Sequence, residues 1–235
     1  MSADPSRPLL SVLVPVRDGE RHLAETIESV LRQDWRPLEM LVIDDGSTDG
    51  SAAIAEGFGP PVRCFRRAPA GVAAARNAAV AEARGAFLLH LDADDLLPAG
   101  SIALRMSAFE ADADLELVAG HLEVFFSPEM DTRARARLRL PEGPQRGHIS
   151  GVSIVRAEAF RRVGVLDESL RVGADIDWFA RATETGLRIR VLDDVVLLRR
   201  IHGRNMSLTL REERVDRLRV LKAALDRRRS TTKRA

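Results

Sequence analysis

The residues in this chain best suited to do chemistry are three carboxylates in the stretch 88–98, LLHLDADDLLP. A short apolar run ends in Asp92, Asp94 and Asp95, which repel one another unless a cation or hydrogen-bond donors face them. Residues two apart share one face of an extended strand, so Asp92 and Asp94 would present two hard oxygen ligands on one side. Mg²⁺ and Mn²⁺ prefer such ligands. The spacing predicts a divalent cation site, and the alternative is a solvated acidic turn, because Asp is common in turns.

In the first hundred residues, apolar runs alternate with segments of helical spacing. The strands and helices that these patterns predict must position the carboxylates. Continuous apolar runs are typical of buried parallel strands, and the segments between them have helical spacing. This alternation predicts right-handed βαβ units around a parallel sheet, with ligands beyond the carboxyl ends of the strands. Asp44 and Asp45 end another strand, so they should share a crevice with Asp92 and Asp94. The predicted strands are 9–16, 38–43, 62–65 and 86–91; the predicted helices run from an Asp18 cap to about Gln33, over 49–57 and over 71–84.

The second half of the chain is less regular. Residues 101–111, 156–163 and 175–185 are predicted to be helical, residues 115–126 to form one strand or two, and residues 187–198 to form a strand pair. Pro and Gly residues predict a loop over 141–151. An alternating basic segment forms a one-sided stripe if it is a strand and a solvated surface if it is a helix end; it consists of Arg133, Arg135, Arg137 and Arg139.

The composition is that of an ordinary globular protein. With 235 residues, of which 45% are hydrophobic, the chain is long enough for one substantial α/β domain. Cys64 is the only cysteine, so no intrachain disulfide can form, which fits a reducing compartment. The N-terminus lacks a signal-peptide pattern, and no apolar run approaches the roughly 18 residues of a spanning helix. These features predict a cytoplasmic protein.

The C-terminal segment 211–235 differs in charge from the rest of the chain. It contains ten Lys or Arg and four Asp or Glu, so its net charge is +6, whereas the remainder has a net charge of −5. An apolar stripe at helical spacing predicts an amphipathic helix over 211–228. The stripe either packs on the protein's own body or on a second subunit of a homodimer, or it makes peripheral contact with the inner face of a membrane. The stripe lacks Trp and Phe, which favours packing.

Six motifs stand in order along the chain: SVLVPVRDG (11–19), VIDDGSTDGS (42–51), GVAAARNAAVAEARGAFLLHLDADD (71–95), GVLDESL (164–170), DIDWFARATETG (175–186) and RIHGRNMS (200–207). Together they resemble glycosyltransferase family 2, the inverting nucleotide-sugar enzymes with the GT-A type fold. The resemblance covers roughly residues 9–207. It implies an α/β fold with a Rossmann-like mixed, mostly parallel sheet flanked by helices. A single domain over 1–210 would comprise a nucleotide-binding half, about 9–98, and an acceptor half, about 99–210, followed by the tail 211–235.

The resemblance also assigns residues to the donor nucleotide. Asp45 would accept a hydrogen bond from the base, or, as the alternative, would only cap a helix starting near Ser47. Arg76 would approach the nucleotide or its phosphates, a natural role for a forked cation, or would be a surface arginine. Asp92 would meet the ribose or the metal. The implied donor-binding residues are Pro15, Val16, Asp45, Arg76 and Asp92.

Four further positions concern the metal and the reaction. Asp94 and His202 match metal-contacting positions, although a lone histidine is more often structural. Asp175 matches the general base, and its alternative is a helix N-cap. Residue 174 is Ala where related sequences usually have Glu, which puts acceptor positioning in doubt. Trp178 would stack on a sugar or belong to the core. His90, in the middle of a strand, is interpreted as a core or supporting residue.

These features favour a metal-dependent inverting glycosyltransferase that uses Mg²⁺ or Mn²⁺. Its donor would be a nucleotide-sugar, with a UDP-sugar favoured. Its acceptor would be a hydroxyl of a glycan, a lipid-linked sugar or a small molecule, and no nucleic-acid partner is expected. One alternative is a nucleotide-sugar-binding protein with weak or no transfer, which Ala174 favours. The other is a nucleotidyltransferase, which the single glycine of PVRDGERH disfavours.

Overall fold

A mixed sheet of eight strands, flanked by helices, forms the centre of the computed structural model, which describes residues 7–138, 140–147, 151–203 and 205. The strands, numbered along the chain, lie in the order β3 (Val62–Arg66), β2 (Leu38–Asp44), β1 (Leu10–Val16), β4 (Phe87–His90), β7 (Ser153–Arg156), β5 (Leu117–Phe126) and β6 (Gln145–Arg146). Strand β8 (Ile189–Ile201) pairs with β5. The predicted tail helix over 211–228 lies outside the described residues. Among the residues that the structure describes, no helix has both the length and the apolar character needed to cross a membrane.

The first half contains the predicted parallel strands and their connecting helices. Every residue of β1 and β2 is buried because helices cover both faces of the sheet, which explains their unbroken apolar runs. The predicted Asp18 cap is wrong: Gly19 is the N-cap of α1, and Asp18 Oδ1 accepts a hydrogen bond from the Thr48 amide at 2.7 Å. The elements are β1 (Leu10–Val16), α1 (Glu20–Leu31), β2 (Leu38–Asp44), α2 (Ser51–Phe58), β3 (Val62–Arg66), α3 (Val72–Glu82) and β4 (Phe87–His90).

The second half adds antiparallel pairs to the sheet. Strand β7 pairs antiparallel with both β4 and β5, and the final strand β8 runs parallel to β5. The segment 187–198, predicted to form a strand pair, belongs instead to the single strand β8. Arg133 and Arg135 lie in a short helix, so they do not form the basic stripe of a strand. The elements are α4 (Ser101–Ala111), β5 (Leu117–Phe126), α5 (Thr132–Ala136), β6 (Gln145–Arg146), β7 (Ser153–Arg156), α6 (Ala157–Val163), α7 (Ala174–Glu184) and β8 (Ile189–Ile201).

Two apolar layers, one on each face of the sheet, fix the positions of the helices. Val12 and Val14 of β1 point into the layer with α1 and α4, whereas Leu13 between them points into the layer with α3, α6 and α7. This alternation follows from the two-residue period of a strand. The second layer matters for function, because it holds α3 and α7 near the carboxyl end of β4.

A fully buried arginine joins the first layer to the backbone before β7. Arg105 of α4 donates from Nη1 to the Gly151 carbonyl at 2.9 Å and from Nη2 to Ser101 Oγ at 3.0 Å. Burial lowers the pKa of Arg105 to about 9. The Gly151 amide in turn donates to the His90 carbonyl at 2.6 Å, so α4, the start of β7 and the end of β4 are linked.

Candidate active site

The three predicted carboxylates lie together just beyond β4. One oxygen from each of Asp92, Asp94 and Asp95 falls within 4.8 Å of the others. Asp95 is buried and accepts a hydrogen bond from the Arg200 amide at 2.9 Å. Burial, followed by the charges of Asp94 and Asp92, raises the pKa of Asp95 well above its usual range. Clustered hard oxygen donors with unfavourable mutual repulsion fit a divalent cation.

The end of β8 and the residues after it surround this cluster. His202 Nε2 lies 2.8 Å from Asp94 Oδ2, and Asn205 Nδ2 donates to the same oxygen at 3.2 Å. Arg200 donates from Nε to the Asp94 carbonyl at 2.9 Å. Sequence reasoning missed Arg200 and Asn205, although both lie in the RIHGRNMS motif. Asp94 and His202, both predicted metal ligands, are thus adjacent.

Arg76 of α3 lies on the other side of Asp92. The arginine is buried, so the surface alternative is wrong, and its Nη2 donates to Asp92 Oδ1 at 2.5 Å. Burial opposes the charge of the guanidinium, but the Asp92 and Asp175 carboxylates outweigh this effect and raise the pKa of Arg76. The negative charges of Asp92, beyond β4, and Asp175, in α7, therefore both stabilise the positive charge of Arg76.

Asp45 fixes the approach to α3. Its two carboxylate oxygens accept hydrogen bonds from the amides of Ala70 at 2.9 Å and Gly71 at 2.7 Å. The alternative that Asp45 caps a helix near Ser47 is wrong, because it is Asp44 that accepts from the Ser47 amide, at 2.8 Å. The contact of Asp45 with a nucleotide base stays a prediction.

Pro15 and Val16 are the buried last residues of β1, in register with the end of β2. The Val16 carbonyl accepts a hydrogen bond from the Asp45 amide at 2.9 Å. Gly46, the residue after Asp45, has φ +78°. A Cβ at this position would lie 2.4 Å from Pro69 Cγ, so this turn requires glycine. Pro15, Val16 and Asp45, predicted donor-binding residues at the ends of β1 and β2, are thus neighbours.

Asp175 is the second residue of α7. Gly173 is the N-cap of this helix, so the N-cap alternative for Asp175 is wrong. Its side chain is partly exposed, and Oδ1 accepts from the Ile176 amide at 3.0 Å. The carboxylate lines a cavity together with Arg76, the hydrogen-bond partner of Asp92. Its role as a general base stays a prediction.

Trp178 packs one turn further along α7. The indole is buried, stacks on Phe160 with 4.8 Å between ring centroids, and donates from Nε1 to the Gly164 carbonyl at 2.8 Å. These contacts favour the core alternative. Because the ring also lines the cavity beside Asp175, the contact with a sugar stays a prediction.

The cavity beside Asp175 has a volume of about 30 Å³ and is lined mostly by apolar side chains. Its polar lining includes Arg76, Asp175 and His90. Both ring nitrogens of His90 are buried and have no hydrogen-bond partner, and the same holds for Arg76 Nε. Burial, and secondarily the charge of Arg76, lowers the pKa of His90 to about 3, so the ring is neutral.

The fold is a mixed α/β sheet with carboxylates beyond the ends of its strands, where α/β enzymes bind their ligands. The sequence model of the family described as "Glycosyl transferase family 2" matches residues 11–168. The chain therefore belongs to glycosyl transferase family 2. The predicted family, the α/β fold of the GT-A type and the glycosyltransferase class are confirmed. The matched segment contains the Asp92–Asp95 cluster, whereas Asp175, Trp178 and His202 lie beyond it.

Relatives and solved structures agree with this family. The chain is 25% identical over 218 residues to the uncharacterized glycosyltransferase EpsJ of Bacillus subtilis, covering 85% of this chain and 63% of EpsJ. TarS of S. aureus in complex with UDP-GlcNAc has a TM-score of 0.68 and 20% identity, covering 86% of this chain and 61% of TarS. The mannosyltransferase PcManGT of Pyrobaculum calidifontis, in complex with GDP-Man and Mn²⁺, has a TM-score of 0.63 and 24% identity, covering 87% of this chain and 60% of PcManGT. The chain thus spans less than two thirds of the length of these relatives.

Proposed function

We propose that the protein is a metal-dependent inverting glycosyltransferase that moves a sugar from a nucleotide-sugar to an acceptor hydroxyl. One observation carries the proposal: Arg76 donates a hydrogen bond to Asp92, in the cluster of three carboxylates after β4, and lines the same cavity as the Asp175 carboxylate of α7. The arrangement offers a cation site, a fixed guanidinium and a carboxylate at one crevice. TarS binds UDP-GlcNAc and PcManGT binds GDP-Man with Mn²⁺, which supports a nucleotide-sugar donor.

In this proposal Asp94, Asp92 and His202 hold Mg²⁺ or Mn²⁺. When bound, the cation supplies a Lewis acid that stabilises charge on the departing diphosphate. His202 and Asn205 both contact Asp94 Oδ2, which orients this carboxylate. Arg200 fixes the backbone carbonyl of Asp94 and the side chain of Asp95.

The donor nucleotide lies in this proposal across the carboxyl ends of β1 and β2. Pro15 and Val16 form its floor, and Asp45 accepts a hydrogen bond from the base. Two amides fix the Asp45 carboxylate, which prefers a base edge that carries an N–H group, as uracil does. The proposed donor is a UDP-sugar. Arg76 approaches the phosphates, where a planar guanidinium binds oxygens in pairs.

Asp175 is the proposed general base. It takes the proton of the acceptor hydroxyl, whose oxygen attacks the anomeric carbon in line while the nucleoside diphosphate leaves. Positioning and electrostatic stabilisation supply most of the rate. The acceptor is a glycan, a lipid-linked sugar or a small molecule. Ala174, buried at the start of α7, favours a second candidate, a nucleotide-sugar-binding protein with weak or no transfer.

The proposal for the C-terminal segment, which lies outside the described residues, rests on its sequence alone. The basic segment 211–235 packs on the body or on a second subunit, with peripheral membrane contact as the alternative. The proposed location is the cytoplasm. Co-sedimentation with anionic liposomes at low and physiological salt, with and without residues 211–235, distinguishes the two arrangements.

A donor screen tests the proposed function. UDP-, GDP- and dTDP-sugars are incubated with Mg²⁺ or Mn²⁺ and acceptor sugars, and the released nucleotide is measured. We expect release with at least one donor, its loss in EDTA and in Asp94→Ala, and its retention in Asp114→Ala, which removes an exposed carboxylate paired with Arg188. Nucleotide-sugar binding without turnover would support the binding protein instead.

A further inference from the structure

The buried face of α1 carries polar side chains among its apolar ones. Three of them follow the spacing of three and four that places residues on one side of a helix. We call them the polar stripe; they are Thr26, Ser29 and Gln33. Buried polar side chains cost stability unless they are hydrogen-bonded. The partners here are backbone groups of the acidic turn, residues 92–95, and of the segment that follows it.

Two members of the polar stripe hold the segment after the acidic turn. Gln33 Nε2 donates to the carbonyls of Leu97 at 3.3 Å and Pro98 at 3.0 Å. Gln33 Oε1 accepts from the Ile102 amide at 3.2 Å, and Ser29 Oγ accepts from the Leu97 amide at the same distance. These bonds attach α1 to the start of α4, which is a role in the fold.

Thr26 holds the acidic turn itself. Its Oγ1 lies 3.0 Å from the Ala93 carbonyl oxygen and 2.9 Å from that of Asp95. A hydroxyl has a single proton, so the carbonyls on either side of Asp94 share it. Arg200 Nε donates to the Asp94 carbonyl between them. Three consecutive carbonyls of the turn therefore each accept a hydrogen bond from a side chain of α1 or β8.

These contacts oppose the repulsion within the carboxylate cluster. The three carboxylates offer oxygens within 4.8 Å of one another and repel each other in the absence of a cation. A turn with free carbonyls could relax and separate them. Such a movement would leave the buried Thr26 hydroxyl without its partners, which carries a cost. A site that is already shaped before its ligand arrives binds that ligand with a smaller ordering cost.

We propose that Thr26 is a positioning residue for the cation, because its hydroxyl holds the acidic turn in the shape that keeps the carboxylates of Asp92 and Asp94 together. The inference rests on the proposed function, which supplies the cation. Thr26 has no exposed surface, so it acts through the turn and not through contact with the ion. The rival role is that of Gln33, which serves the stability of the fold alone.

Substitutions along the polar stripe separate the two roles. Thr26→Val keeps the size of the side chain and removes its hydroxyl, Thr26→Ser keeps the hydroxyl, and Gln33→Met removes the bonds to the segment after the turn. Binding of Mn²⁺ is measured by electron paramagnetic resonance of the free ion, with and without UDP or GDP. The Tm of each variant is measured in EDTA.

We expect the affinity for Mn²⁺ to fall roughly tenfold in Thr26→Val and to stay within about twofold of wild type in Thr26→Ser and Gln33→Met. Gln33→Met should nevertheless lower the Tm at least as much as Thr26→Val does. The reason is that the Leu97 and Pro98 carbonyls and the Ile102 amide lose this partner.

Losses of Mn²⁺ affinity that follow the losses of Tm across the variants would overturn the inference, as would wild-type affinity in Thr26→Val. If Thr26→Val does not fold, Thr26→Cys replaces it, because a thiol is a weaker donor than a hydroxyl. Its affinity should lie below that of Thr26→Ser, and equal affinities would overturn the inference. A wild-type protein that binds no Mn²⁺ would overturn the proposed cation site and the inference with it.

Discussion

Asp175 combines two properties that a general base requires. Its carboxylate is partly exposed, so an acceptor can reach it, and α7 holds its backbone in the first helical turn. We expect Asp175→Asn to bind the donor nearly as wild type and to lose about 10² to 10⁴ in transfer rate, because an amide cannot take a proton. Single-turnover transfer and calorimetry measure the two effects. Asp193→Asn, an exposed position of β8, is the control, and wild-type turnover by Asp175→Asn would place the base elsewhere.

His90 makes the stability of the protein depend on pH. Because its pKa is about 3 in the folded protein and about 6.5 when unfolded, the unfolded chain binds the proton more readily below pH 6.5. Folding stability should therefore fall as pH drops from 6.5, by roughly 1 kcal/mol per pH unit from this residue. Urea unfolding of wild type and His90→Phe between pH 7 and 5 measures the difference. Parallel stability curves for the two proteins would contradict the prediction.

At the scale of elements, α3 joins the two halves of the protein. Asn77, next to Arg76, accepts from the Leu166 amide and donates to the Leu166 carbonyl, both at 3.0 Å. The loop that contains Leu166 leads to α7 and Asp175. Asn77 therefore links the segment that leads to the proposed base with the helix that carries Arg76.

Removing this tie should affect both stability and rate. We expect Asn77→Ala to lower the unfolding free energy by about 1 to 3 kcal/mol, because two backbone groups of Leu166 lose their partners. Its kcat should fall while its affinity for the nucleoside diphosphate stays near wild type. Glu168→Ala removes only the exposed bond to Asn77 and should cost less than about 0.5 kcal/mol. Equal effects of the two variants would argue against the tie.

The elements of the first half could be predicted because parallel strands buried on both faces leave continuous apolar runs in the sequence. The second half could be predicted less well. Strand β8 is partly exposed, and charged residues interrupt its apolar sequence. Its partner β5 lies more than 70 residues earlier. Such pairing leaves little local signal, which explains why one long strand was predicted as two.

In the candidate site, too, the residues from the first half of the chain could be predicted better than those from the second half. The carboxylates at the end of β2 and just beyond β4 could be predicted because both strands end at the same edge of the sheet. The hydrogen bond from Arg200 to Asp95 spans 105 residues, and no local pattern signals it. The unpaired nitrogens of His90 could not be predicted either, because they depend on how α3, α6 and α7 pack against the sheet.

Binding of the proposed cation should increase the thermal stability of the whole protein. A ligand that binds only the folded state stabilises it by about 2.7 kcal/mol at a hundred times its Kd. For a protein of this size each kcal/mol corresponds to about 2 to 4 °C in Tm. We therefore expect Mn²⁺ to raise the Tm by several degrees relative to EDTA, and Asp94→Ala to lose the shift. A thermal scan without any shift in the wild type would count against the metal site.

The contacts of Arg200 with Asp94 and Asp95 set an order of events during synthesis. The strands that precede Asp45 and Asp92 leave the ribosome first, but Arg200, whose amide donates to Asp95, follows 105 residues later. At roughly 5 to 20 residues per second, this interval lasts about 5 to 20 s. A nascent chain can thus pair its first parallel strands while its acidic cluster still lacks Arg200, His202 and Asn205. If the cluster binds the proposed cation, the residues that orient its carboxylates are therefore synthesised after all the strands that precede β8.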